Sequence, residues 1–165
     1  MDIREERPAD VRSIRLVNRR AFGRDQEANI VDALRSNGAT LLSMIAVDED
    51  DVVGHVMYSP VTIGELTGAG LGPMAVVPEH QRQGLGSDLV TASLERLRRA
   101  ACPFVVVVGH PGFYPRFGFK PASLYGISCE WPVPDEVFMI NVLHPLHMPT
   151  ERGMARYRPE FSNVM

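Results

Sequence analysis

The chain has 165 residues, a formal net charge of −3 and 45% apolar residues, with an isoelectric point near 5.9. That length fits one domain, residues 1–165, with a substantial core, and the acidic balance argues against a broad nucleic-acid surface. Two cysteines, Cys102 and Cys129, are too few for a disulfide framework, and neither sits in a C-x-x-C, so no metal is expected. The charged start MDIREERPAD lacks the apolar core of a leader peptide, and no run reaches membrane-spanning length. The expectation is a cytoplasmic protein with neither membrane nor nucleic-acid partners.

D-I-R-E-E-R-P alternates weakly and predicts a first strand ending at Pro8. Residues 8–22 carry Val11, Ile14, Leu16, Val17 and Phe22 near helical spacing, with Gly23 placed to end the helix. A second helix is predicted over Gln26 to Arg35, with Ile30, Val31 and Leu34 inward. LLSMIAVDED and DVVGHVMYSPVTI are β-rich, and the acidic residues between them predict a hairpin turn. A short strand over residues 71–78 leads into a glycine loop and then a helix over about residues 85–100. Leu85, Leu89, Val90, Leu94 and Leu97 form the apolar stripe of that helix. PFVVVVGH is a continuous apolar run, as for a strand covered on both faces. A short helix around GFYPRFG, a strand around FKPASLYG and a last strand at FMINVL follow. The proline- and arginine-rich tail, residues 144–165, is expected to lie extended along the surface. The order β-α-α-β-β-β-α-β-α-β-β is an α+β pattern with a mostly antiparallel sheet and one β-α-β crossover.

The segment EHQRQGLGSDLV, residues 79–90, places Arg82, Gly84 and Gly86 in front of an amphipathic run. A helix N-terminus has unpaired N–H groups and partial positive charge. Glycines let a ligand approach the backbone closely, and an arginine suits phosphate oxygens. Together these features make an anion cradle, read as one for a pyrophosphate. It is neither a P-loop nor a dinucleotide fingerprint, because it lacks G-x-x-x-x-G-K-[ST] and the third glycine of G-x-G-x-x-G. A bare G-x-G is a weak signal that equally describes a tight turn; strand, Q-x-x-G-x-G and helix in succession is far more specific.

With L71-G-P-M-A-V-V-P78 as the strand and Q81-R-Q-G-L-G86 as the loop, the sequence resembles the GNAT superfamily of acyl-CoA N-acyltransferases. G109-H-P-G-F-Y-P-R-F-G-F119 and R152-G-M-A-R-Y-R-P-E-F161 resemble its bacterial YhbS-like branch. The resemblance implies a GNAT-type sheet with splayed central strands and flanking helices. It also implies acetyl-CoA as cosubstrate and transfer of the acetyl group to a small-molecule or protein amine by direct attack. It places the pantetheine arm along Met74, Ala75 and Val76, and the pyrophosphate on the amides of Arg82, Gln83, Gly84, Leu85, Gly86 and Ser87. The oxyanion donor it implies is the N–H near Met74 or Ala75. Tyr114 stands where the superfamily's general acid stands, and V-G-H-P replaces the asparagine that many relatives use against the pantetheine. A homodimer is allowed by analogy with relatives.

Read from residue types alone, Tyr114 also suits a packed aromatic among Phe113, Phe117 and Phe119. His110 and Glu65 are candidate bases, with a loop-capping histidine and a solvated acid as the plainer readings. His55 reads as a core histidine. Arg116 and Lys120 either meet phosphates or face water. His144 and His147 lack nearby carboxylates for a metal site, and Arg152, Arg156 and Arg158 read as a screened cluster. A non-catalytic acyl-CoA-binding sensor would keep the cradle without needing an acid, and a protein binding another nucleotide pyrophosphate would use the same loop.

Overall fold

The computed structural model describes residues 1–148 and 152–162. In chain order the elements are β1 (Asp2–Glu5), α1 (Val11–Phe22), α2 (Gln26–Ser36), β2 (Leu42–Asp48), β3 (Asp51–Ile63), β4 (Leu66–Val76), α3 (Leu85–Arg99), β5 (Phe104–Val108), β6 (Lys120–Pro121), β7 (Ile127–Cys129), β8 (Phe138–Val142) and β9 (Gly153–Arg156). The sheet runs β1-β2-β3-β4-β5-β8-β6, and β9 pairs with both β3 and β7. Only β4–β5 and β7–β9 are parallel; the other pairs are antiparallel. The α+β expectation and its crossover, β4-α3-β5, hold. No helix among the described residues is long and apolar enough to cross a membrane.

Alternation along β2 and β3 sorts the helices onto two faces. Ile45 and Met57 join Ile14 of α1 and Ile30, Val31 and Leu34 of α2 in one cluster. Their neighbours Met44, Ala46, Val56 and Tyr58 join Leu85, Leu89, Val90, Leu94 and Leu97 of α3 in another. All five residues of the predicted α3 stripe are thus buried. In α1 the stripe is narrower than its spacing suggests: Ile14 and Val17 are buried, whereas Leu16 is 53% exposed and Phe22 39% exposed. Gly23 ends α1 in the left-handed region, its N–H donating to the Arg19 carbonyl at 2.8 Å.

Four expectations are revised. Strand β4 begins at Leu66 rather than residue 71, because Thr67 to Gly70 pair with β3 in a continuous ladder. Its glycines make room for neighbours: a Cβ on Gly68 would lie 2.6 Å from the Phe104 ring, and one on Gly70 2.7 Å from Val61. The segment around GFYPRFG is a single 3-10 turn, Tyr114–Phe117. FKPASLYG gives only the two residues of β6 before a second 3-10 turn, Ala122–Tyr125. The tail is not merely surface-laid, for β9 joins the sheet and Phe161 is buried against α1, α2, β2 and β3; residues 149–151 and 163–165 of that tail lie outside the described residues.

His55 is a core histidine, as its mid-strand position suggests. It is fully buried in β3, with Nε2 2.9 Å from the Ser43 hydroxyl and Nδ1 3.1 Å from the Asn18 amide nitrogen. Burial pushes its pKa down to about 3, so the ring is neutral in the fold and cationic in the unfolded chain below about pH 6.5. The unfolded state then binds one more proton, and stability is lost as pH falls through the window from about 6.5 to about 3. We expect chemical denaturation to show wild type losing about 1.4 kcal/mol per pH unit relative to His55→Gln between roughly pH 6 and 4. Parallel curves for the two proteins would contradict the assignment.

Candidate active site

The site begins where β4 and β5 part. They pair only at Ala69–Val105 and Gly70–Val106. Beyond those residues β4 runs to Val76 still paired with β3, while β5 runs to Val108 paired with β8. The β5-facing edge of β4 is therefore without a strand partner from Leu71 onward. Val77 N–H donates to Val53 at 3.0 Å. By the alternation of an antiparallel ladder, Ala75 N–H also points to β3, whereas Met74 and Val76 turn their polar groups into the gap. The Gln81 amide, which donates to the Val76 carbonyl at 2.8 Å, marks that side. Of the two amides expected to serve an oxyanion, it is Met74's that faces the opening.

At the end of this edge lies the glycine loop. Gly84 sits at φ 86° as the residue before α3, and Arg82 at φ 64°. The first helical bond is Asp88 N–H to the Gly84 carbonyl, and none of the N–H groups from Arg82 to Ser87 donates within the described residues. Six unbonded donors and the positive end of a 15-residue helix thus sit together in one largely exposed loop, a donor set that suits an anionic diphosphate. The Gln83 side chain is turned back to the Glu79 carbonyl at 3.3 Å, so only its backbone serves the loop. A cleft of about 830 Å³ runs from Met74, Ala75 and Val76 past Arg82, Gly84, Leu85, Gly86 and Ser87 to Arg116. Arg116 stacks over the Phe113 ring at 4.9 Å and donates to the Gly112 carbonyl. Lys120 is exposed on β6 and lines neither this cleft nor the cavity beyond it.

That second cavity, about 360 Å³, is also lined by Tyr114 and reaches Glu27, Leu71, Trp131, Tyr157 and Phe161. Phe22, Met74, His110 and Tyr114 line both spaces. Both readings of Tyr114 are physically present. Its ring packs edge-on against Phe113 at 5.0 Å and Phe119 at 5.6 Å, yet its hydroxyl has no hydrogen-bond partner among the described residues. Burial pushes the phenol up to about 12, so it stays protonated at any physiological pH. His110 is exposed at the junction; its backbone carbonyl caps the turn by accepting from Phe113 and Tyr114 N–H, which leaves the ring free for the cleft. Glu65 does not belong to the site. It lies exposed in the β3–β4 hairpin turn and lines neither cavity, because the ladder carries it to the far end of β4 from the opening.

Two participants were not legible as such. Glu27 is buried on α2 and held by Arg24, which donates from Nε to Oε1 at 2.9 Å and from Nη2 to Oε2. Tyr157 comes from the tail; its hydroxyl is cut off from solvent and has no partner among the described residues. His144 and His147 stack at 5.8 Å, with the His144 Nε2–H donating to the Arg98 carbonyl.

A parallel strand pair that splays open, a glycine loop of unspent amides and a tyrosine turn at the mouth define a GNAT-type domain. Residues 2–122 match the family model described as Acetyltransferase (GNAT) domain. The chain is 35% identical to the Escherichia coli K12 protein named uncharacterized N-acetyltransferase YhbS, over 98% of this chain and 99% of that one. Its fold superposes on the crystal structure of E. coli YhbS in complex with CoA with a TM-score of 0.94 at 33% identity, covering 99% of this chain and 93% of that one. A GNAT family acetyltransferase from Brucella melitensis in complex with acetyl-CoA gives 0.82 at 36% identity, with 97% of each chain covered. The chain belongs to the GNAT acetyltransferase family.

The Tyr114 turn depends on Gly109, where a Cβ would lie 2.3 Å from the tyrosine ring. Gly109→Ala is expected to force the ring aside at an overpacking cost of about 1–3 kcal/mol. Calorimetric melting should show a Tm lower by roughly 2–10 °C for a chain of this size; an unchanged Tm would mean that the ring has another place to go.

Proposed function

We propose that this protein transfers an acetyl group from acetyl-CoA to a primary amine by direct attack, with Tyr114 as general acid. One observation carries the reading: Tyr114 lines both the cleft that leads to the loop amides and a second cavity, so a donor in one and an acceptor in the other can meet at one residue. The CoA and acetyl-CoA complexes of the E. coli and B. melitensis relatives support the choice of carrier.

The free amides of Arg82 to Ser87 hold the diphosphate, hydrogen bonds to charged oxygens contributing about 1.5–3 kcal/mol each before desolvation. The open edge at Met74 and Val76 takes the amide groups of the pantetheine arm as a further strand would. The thioester supplies the activated acyl group. His110 takes a proton from the attacking nitrogen, directly or through water. Met74 N–H faces the charge that develops on the carbonyl oxygen. As the new N–C bond forms and the C–S bond breaks, the Tyr114 hydroxyl gives its proton to the departing sulfur. A phenol near 12 gives a proton to a thiol of about 8.5 only uphill, by roughly 5 kcal/mol. Tyr114 therefore regains a proton from the nitrogen through His110 and water, and no phenolate accumulates.

Tyr114→Phe keeps the ring packing and removes the proton. We expect kcat in a thiol-release assay to fall at least about 100-fold, with acetyl-CoA affinity by calorimetry unchanged within about threefold. An unchanged kcat would remove Tyr114 from the chemistry. Tight acetyl-CoA binding with no transfer to any amine would favour a sensor of the carrier instead.

A further inference from the structure

The cavity beyond Tyr114 has a chemical character that the acetyl-transfer reading does not use. Its walls are aromatic and aliphatic: Phe22, Ile30, Leu71, Trp131 and Phe161 contribute, and Trp131 and Tyr157 stack at 4.5 Å. Besides His110 and Tyr114, which it shares with the cleft, the cavity takes Glu27 and Tyr157 into its lining. Glu27 brings a carboxylate whose side chain is only 8% exposed, while its partner Arg24 remains 53% exposed and lies outside the lining. A carboxylate offers about four lone-pair positions, and the two bonds from Arg24 leave acceptor capacity for a second cation. The Tyr157 hydroxyl is shut off from solvent, with no hydrogen-bond partner among the described residues, so Tyr157 lends the cavity its ring rather than its oxygen. Glu27 and Tyr157 lie apart from the tyrosine turn in the chain, on α2 and on the segment after β9, and line the same cavity.

We infer that Glu27 determines acceptor specificity, and that the acceptor is a small primary amine with an apolar, ring-sized body and no carboxylate. This rests on the reading of the cavity as the acceptor side of the transfer. The ammonium is drawn to the Glu27 carboxylate, and the body lies against Phe22, Trp131 and Phe161. An amine carrying its own carboxylate places that anion beside Glu27 or against apolar walls, where nothing repays its lost hydration. The cavity is near the lower end of the size range for ligand sites, which suits a single-ring molecule.

The test compares 2-phenylethylamine with phenylalanine, which shares its body and adds a carboxylate. For the wild-type protein with saturating acetyl-CoA, kcat/KM for 2-phenylethylamine is expected to exceed that for phenylalanine at least 100-fold. In Glu27→Gln, KM for 2-phenylethylamine should rise 10- to 100-fold, as expected for losing one charge-assisted contact. In that variant kcat should stay within about threefold, acetyl-CoA affinity should be unchanged and the preference should narrow at least tenfold. A wild-type ratio near one, a Glu27→Gln variant with unaltered preference, or a better rate with a lysine-containing peptide each overturns the inference while leaving acetyl transfer intact. If acetyl-CoA neither raises Tm nor is consumed with any amine, the underlying reading of the protein has failed instead.

Discussion

The separation of β4 from β5 is the constraint on which the rest of the molecule depends. The strands are held together for two residue pairs, Ala69–Val105 and Gly70–Val106, and are then pulled toward different partners, β4 by β3 and β5 by β8. Gly70 can lie at the branch point because it has no side chain where Val61 and Tyr157 press in. A sheet interior that would ordinarily satisfy every N–H and C=O is left with an unpaired edge, and that edge becomes a place where a ligand can complete the ladder. The cleft, the cavity and the position of Tyr114 between them follow from this one divergence.

Electrostatics then assigns the two sides different roles. The cleft ends on backbone donors at the start of α3, where fixed partial charges favour an anion without a buried charged side chain. The opposite cavity is closed by α2 and the tail, and it carries the carboxylate of Glu27 instead. The cleft thus carries backbone donors and the cavity a carboxylate already held by Arg24, with Tyr114 and the exposed His110 lining both. Burial contributes as well: the enclosure that raises the Tyr114 phenol keeps it in the donating form.

Much of this was legible in the chain because it is local. The α3 stripe repeats with helical spacing, the loop sits directly before it, and Tyr114 lies within one short aromatic motif. What was not legible depends on residues far apart in sequence. Glu27 has Arg24 three positions before it, the spacing of an exposed helix pair, and only the packing of α2 over the sheet shows that the carboxylate is buried. Tyr157 stands in a segment without period, so nothing marks it until β9 brings it beside Gly70. Gly68 and Gly70 look like turn residues, since the reason for their small size, Phe104 and Val61, lies on neighbouring strands. Glu65, attractive as an acid near the site in sequence, is carried away by the length of the β3–β4 hairpin.

The central claim is that an acyl carrier completes the open edge of β4 and rests its diphosphate on the loop amides. Amide hydrogen exchange with and without CoA tests it most directly. The account expects exchange to slow at Met74, Val76 and the amides from Arg82 to Ser87, with little change at Glu65 in the distant hairpin turn. CoA that binds tightly while leaving exchange at Met74, Val76 and Arg82 to Ser87 unaltered would contradict it.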